Sequence, residues 1–529
     1  MIRTATAAGL ILLAAPATAQ DLPPDQAAMR AHVAYLASDD LRGREAGTPD
    51  YDRAAAYVVE QFKAAGLQPG GEDGGWYQKV PLAATRAIAT PTMALNGQPL
   101  TFGVDFTVAP TPGRSDLTLT APVVFAGYGI VDAAIGRDDY RGLDVRGKIV
   151  AIFYSGPKGL NSEIAAHLGN RNDRARLARE RGAVGVLMLY TSQVAQVVSF
   201  ERGSKNWDAR RMAWTNPDGS RDLGAPGVGT LSFAGAAKLF AGYQGGWDAI
   251  RAAEDAGRAI PTGPLNATIS TSQRYETTRA ASANVVGRLP GNDPRMSAET
   301  MVLSAHLDHI GVTEPVGGDR INNGAADNAM GIATLIETAK LFRSEREGPR
   351  RSVLFVAVTA EEKGLVGSDY FAQHPTVPRA SIVANVNFDM PILTYRFQDL
   401  VAAGGERSSI GPSIGRAAKA EGFGLSPDPA PEQASFVRTD HYSFVRAGIP
   451  STSLKPGIAG PGKAAVLDFL QHHYHQPSDD MTQQFDWAAA RAFVKVNYRV
   501  VKDIADAPDR PVWVKGDYFG TLYKGPMAR

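Results

Sequence analysis

Met301-Val302-Leu303-Ser304-Ala305-His306-Leu307-Asp308-His309 carries a short apolar run straight into polar side chains. The run reads as a strand, and His306 emerges at its end with Asp308 two residues on. Working outward, Ala329 to Arg346 reads as a helix, with Ile332, Leu335, Ile336, Ala339 and Phe342 on one face. Val353 to Thr359 is almost wholly apolar, as a strand buried on both faces of a sheet must be, and Ser381 to Phe388 and Asn284 to Leu289 read as further strands. Strands alternating with helices of this length predict an α/β fold, an open sheet covered on both sides. In such sheets the chemistry sits at the carboxyl ends of the strands.

The rest of the chain sets limits on function. Its 529 residues predict two or three domains at about 100 to 200 residues each. With 44% hydrophobic and 21% charged residues, there is ample material for packed cores, which excludes wholesale disorder. Lys and Arg number 55 against 54 Asp and Glu, with no long run of one sign, so nucleic acid is not an expected partner. Cys is 0, which removes disulfides, thiolate metal sites, cysteine nucleophiles and lipidated cysteine together. Any metal must then be held by His and carboxylates. Met1-Ile2-Arg3, the apolar stretch from Ala5 to Ala15 and Ala17-Thr18-Ala19 have the form of a secretory signal peptide cleaved near Ala19. The mature protein is thus expected to be exported, periplasmic or secreted. No later segment reaches about 18 uninterrupted apolar residues, so no membrane anchor is expected.

Two further textures lie between these regions. Thr48 and Pro49 open a helix that Gly66 can close, with Tyr57, Val58, Phe62 and Ala65 along one face. From Asp116 onward, short β-rich runs (Leu117 to Phe125, Lys148 to Phe153, Val184 to Tyr190) and the charged helical stretch Arg174 to Arg181 suggest a separate α/β module with its own sheet. Its ends are placed near Pro112-Gly113 and within Thr271 to Arg279, where the hydrophobic texture breaks.

The polar groups at the strand ends carry the chemistry. A metal-binding imidazole needs its second ring nitrogen held by an acceptor, and Asp308 is placed to hold that of His306. His-x-Asp alone is equally a capped turn. Asn323-Gly324-Ala325-Ala326-Asp327-Asn328 opens the helix at Ala329; Asp327 can serve as an N-cap or as a carboxylate bridging two cations. Val353 to Thr359 leads into Glu361-Glu362, adjacent carboxylates that repel one another and are costly to desolvate without a cation. One of them wants a metal, and the other can act as a proton shuttle. Asp389 closes the strand through Val386-Asn387-Phe388. His472, His473 and His475 lie in one loop, where His472 and His473 can be surface decoration. Oxygen and nitrogen ligands of this kind suit two zinc ions.

These residues resemble the M28 family of co-catalytic zinc peptidases, which includes aminopeptidases and glutamate carboxypeptidase. The matching blocks are Ser304 to His309, Gly324 to Asn328, Ala360 to Ser368, Asn387 to Met390 and Tyr474 to Asp479, together with Leu41 to Pro69 and Arg438 to Pro450. The resemblance implies a phosphorylase/hydrolase-like α/β sandwich with a mixed sheet. By it, His306 and Asp389 hold one zinc, Glu362 and His475 the other, Asp327 bridges them, and Glu361 is the general base. Tyr474 becomes a hydrogen-bond donor to the tetrahedral oxyanion. The middle segment looks like an inserted protease-associated domain, on Val124 to Ile130, Asp139-Tyr140, Gly142 to Val150 and Gly182 to Leu187. The chain then divides into a signal peptide (1–19), an N-terminal part of the peptidase domain (20–112), the insert (113–275), the catalytic part (276–510) and a C-terminal tail (511–529). Ala326 stands where the family usually has a second Asp and Met330 where it often has Ser, departures that bear on pocket lining.

The resemblance thus implies a peptide substrate and an aminopeptidase reaction, with the oligomeric state left open. Three rivals remain: a carboxypeptidase using Arg438 for a terminal carboxylate, a one-zinc acyltransferase resembling glutaminyl cyclase, and a binding protein that has kept the fold and lost the chemistry.

Overall fold

The computed structural model describes residues 22–344 and 348–529, so the signal-peptide expectation lies outside the described residues. The quoted run is the strand Thr300–His306, buried along its whole length. It lies between two parallel neighbours, Ser352–Val358 and Ile382–Asn387, which are equally buried. Side chains alternate faces along a strand. Met301, Leu303 and Ala305 accordingly join the core under the helices Pro24–Leu36, Pro49–Ala64, Met330–Ser344 and Trp487–Asp506, while Val302 packs with Phe371 and Phe444 on the other side. The sheet continues through Ser451–Pro456 and Asp399–Ala403, which pair antiparallel, making it mixed. Met330 enters the main hydrophobic core, so this departure from the family pattern is a packing residue.

Helix Pro49–Ala64 begins as its sequence predicts: the Thr48 hydroxyl accepts the Tyr51 N–H at 3.3 Å, and Gly66 takes the left-handed conformation (φ 76°) beyond its end. The helix after Asp327 starts at Met330 and runs to Ser344.

The middle segment corrects one expectation. Leu117–Phe125, Ile149–Phe153, Gly185–Leu189 and Gly227–Leu231 run parallel, and their two faces carry cores separate from the catalytic one. They do not form a sheet of their own. Gly263–Leu289 is one 27-residue strand that pairs with Leu117–Phe125 through its first half and with Ser352–Val358 through its last residues, giving one continuous 16-stranded sheet among the described residues. Position 275 lies inside that strand, and Met93, Leu100, Phe106 and Val108, all before position 113, belong to the insert's core. Tyr77–Leu95 pairs antiparallel with the long strand, and the two make a ribbon linking both halves. No described helix is long and apolar enough to cross a membrane.

Candidate active site

The parallel strands bring their carboxyl ends to one edge, and the predicted residues meet there. His306 is the last residue of its strand. Its Nε2 lies 3.2 Å from Asp327 Oδ1 and 3.3 Å from Asp389 Oδ1. The other oxygen of Asp327, Oδ2, lies 3.4 Å from His475 Nε2, which is 3.1 Å from Glu362 Oε2. One carboxylate therefore stands between two His-carboxylate clusters. His306, Asp327 and Asp389 form one group able to hold a cation, and Asp327 and Glu362 share another with His309. A tetrahedral ion with bonds of about 2.0 to 2.1 Å spaces its ligand atoms about 3.3 Å apart. The four separations above, 3.1 to 3.4 Å, match that spacing.

Charge points the same way. Asp308, Asp327, Glu361, Glu362, Asp389, Asp440 and Asp479 crowd one buried neighbourhood. Arg44 is buried beside them, and Lys363 pairs with Glu45 at 2.8 Å. Burial favours neutral carboxyls, yet His306 and His475 hold Asp327 well below the usual carboxylate range. Glu362 is held at about 2: burial and Asp327 push it up, and His309 and His475 outweigh them. Burial lowers His475 as well, but Asp327 and Glu362 raise it to about 10. Glu361 goes the other way. Burial, reinforced by Asp389, Glu362 and Asp440, lifts it well above its ordinary value.

The loops that aim these groups are fixed by hydrogen bonds to backbone. Asp308 does not hold His306 through its carboxylate, as the sequence suggested. Its backbone carbonyl lies 3.1 Å from His306 Nδ1, and its carboxylate accepts the N–H groups of Glu361 (3.0 Å) and Glu362 (3.3 Å). Ala360 (φ 55°) and Met390 (φ 50°) turn the chain in the left-handed region just past two strand ends, and His475 (φ 56°) does so within its loop. Such conformations cost of order 1 to 3 kcal/mol and persist where surrounding bonds over-determine them. Asp479 is one such determinant, accepting the N–H groups of Ala326 (2.9 Å) and Asp327 (3.0 Å). Asn328 is another, donating to Phe388 O at 2.8 Å and accepting from the Met390 N–H at 3.2 Å. Arg44, fully buried, donates to Leu307 O and Gly324 O, both at 2.7 Å, and ties two site loops together.

Tyr474 stacks on His475 with ring centroids 4.0 Å apart, and its hydroxyl makes no protein hydrogen bond among the described residues. Burial and the nearby carboxylates keep that phenol protonated. Arg438 is exposed. His472 is also exposed and pairs with Asp468 at 2.9 Å, apart from the site. The sequence reading left out His309, Arg44, Asp440 and Asp479 as site residues; the signal for His309 was its place in the His306–His309 block.

Fold and site together define a class: a mixed-sheet α/β domain with a buried His-carboxylate centre at its strand ends. Residues 284–501 match the model of Peptidase family M28. Leupeptin-inactivating enzyme 1 of Streptomyces exfoliatus is 28% identical over 243 residues, 44% of this chain and 50% of that protein. A probable leucine aminopeptidase 2 of Aspergillus oryzae is 28% identical over 250 residues, 43% and 46% respectively. The chain thus spans about half the length of these curated relatives. The aminopeptidase from Aneurinibacillus sp. strain AM-1 shares the fold, with a TM-score of 0.52 at 18% identity over 92% of this chain and 95% of that one.

Proposed function

We propose that the protein is an exported, zinc-dependent metallopeptidase with two zinc ions per chain, acting as an aminopeptidase on peptides. The observation that carries this reading is the Asp327 carboxylate, with one oxygen 3.2 Å from His306 and the other 3.4 Å from His475. In this reading His306, Asp327 and Asp389 hold one ion, and Glu362, His475 and Asp327 the other. Bound zinc would lower the pKa of water and polarise the scissile carbonyl. Glu361, next to the ligand Glu362 and without a hydrogen-bond partner of its own among the described residues, accepts the proton of the attacking water and passes it to the leaving amine. Tyr474 keeps its phenolic proton and can donate a hydrogen bond to the developing oxyanion. Asp308 acts by holding the Glu361 and Glu362 backbone.

The names of the relatives support release of N-terminal residues rather than C-terminal ones. The middle segment, a protease-associated domain in this reading, supplies none of the proposed ligands. The test is elemental analysis of the active protein together with hydrolysis of free and N-blocked peptides. Two zinc per chain, inactivation by a chelator and cleavage only of free N-termini are expected. One zinc or none, or equal cleavage of N-blocked peptides, would overturn the proposal.

A further inference from the structure

His309 stands among the proposed metal ligands, fully buried, with Nδ1 2.8 Å from Glu362 Oε1. This contact differs from its neighbours. The ligand pairs around Asp327 and His475 are separated by 3.1 to 3.4 Å, the spacing of atoms that share an ion. At 2.8 Å the His309–Glu362 pair is in the range of a charge-assisted N–H···O⁻ hydrogen bond. Glu362 thus divides its two oxygens, Oε2 toward His475 and Oε1 toward His309.

The tautomer follows from burial. His309 Nε2 is buried and has no hydrogen-bond partner. A proton there would leave an N–H unsatisfied, whereas a proton on Nδ1 leaves only a lone pair at Nε2 and gives Glu362 its donor. The ring is also held in place. A Cβ on Gly324, itself left-handed at φ 62°, would lie 2.7 Å from two of the ring carbons, so the glycine makes room for the imidazole. On another side the His475 ring meets it edge-on at 5.7 Å.

We propose that His309 is a positioning residue of the metal centre. Its Nδ1–H holds Glu362 Oε1, so that Oε2 alone is presented to the cation shared with His475 and Asp327. The inference rests on the metallopeptidase reading and adds a residue to it. Partners of this kind change metal affinity by about 10- to 100-fold.

The test uses the full-length protein and two variants: His309→Phe, which keeps a ring and removes the donor, and His309→Asn, whose side-chain amide can donate in place of Nδ1. Zinc is titrated against a chromophoric chelator, with circular dichroism as a check of folding. Wild type is expected to bind two ions. Phe should weaken one of them by about 10- to 100-fold, and Asn should recover most of that loss. Unchanged affinity in a folded Phe variant would overturn the proposal. So would loss of one ion outright in both variants, which would make His309 a ligand. If Phe does not fold, Asn decides: near-wild-type affinity supports positioning, and a missing ion refutes it. A wild type that binds no zinc fails the metallopeptidase reading itself, and is told apart from the other outcomes because it precedes any substitution.

Discussion

Glu362 lies 2.8 Å from His309 and 3.1 Å from His475, whereas the Glu361 carboxyl next to it makes no side-chain hydrogen bond among the described residues. The same backbone turn delivers both, and their surroundings separate them: Glu362 is held ionised at about 2, and Glu361 is pushed up. Glu361→Gln should therefore keep zinc and fold while turnover falls by roughly 10² to 10⁴, the usual contribution of a general base. Glu362→Gln should lower zinc affinity, and added zinc should restore part of its activity. Activity measured against zinc concentration checks both, and rescue of Glu361→Gln by zinc would show the roles exchanged. Asp479 acts one step further out. Asp479→Asn points an amide at one of the two backbone N–H groups the carboxylate now satisfies, a loss of about 1 to 3 kcal/mol that urea unfolding can measure.

The short helix His441–Arg446 predicts a pH dependence. His441 is fully buried; its Nδ1 meets the Thr439 hydroxyl at 2.5 Å, and its Nε2 has no partner. Burial, with a smaller push from Lys455, lowers its pKa from 6.5 to about 3. Below pH 6.5 the unfolded chain binds a proton the folded chain refuses, so this residue destabilises the fold progressively as pH drops toward 3 and costs nothing above 6.5. At pH 5 the cost is about 2 kcal/mol. Urea unfolding at pH 7 and pH 5 should show that loss, reduced in His441→Asn; the same drop in both proteins would assign it to other groups.

At this scale the sequence was informative where burial is uniform. Strands covered on both faces must be apolar throughout, so Thr300–His306, Ser352–Val358 and Ile382–Asn387 could be placed to within a residue or two, and polar groups at their ends stood out as a site. The long strand Gly263–Leu289 was not legible as one element. Its middle, Glu276 to Arg279, is solvated on both faces and reads as a break between two domains. Arg44 and Asp479 lie within blocks that carry the resemblance, yet nothing local assigns them a role. They act on backbone groups far away in sequence, Gly324 O and the Ala326 N–H among them, and such bonds leave no spacing to read.

Across the whole molecule, the insert, the catalytic half and the C-terminal segment converge on Arg407. Its guanidinium lies 5.0 Å from the Phe436 ring and 5.1 Å from the Phe519 ring, donates to Asp517 at 2.9 Å and pairs with Glu163 of the insert. Nearby, Tyr518 donates to Asp132 at 2.6 Å, Arg446 pairs with Asp173 at 3.1 Å, and Trp513 is fully buried with its indole N–H on Gly448 O at 2.9 Å. The C-terminal segment is thus a fastener rather than a loose tail. Burial already lifts Glu163, and Arg407 is the group that favours its charge. Arg407→Ala strands two carboxylates and leaves a gap between two aromatic rings, which should cost about 3 kcal/mol or more. The loss should be local in its dynamics. Amide exchange should rise in Ser162–Leu168 and in Tyr518–Leu522, while the buried strands Thr300–His306 and Ser352–Val358 stay protected. Exchange that rises equally in those strands would mean that the two halves and the C-terminal segment unfold as one unit, and that Arg407 supports the whole fold rather than the junction.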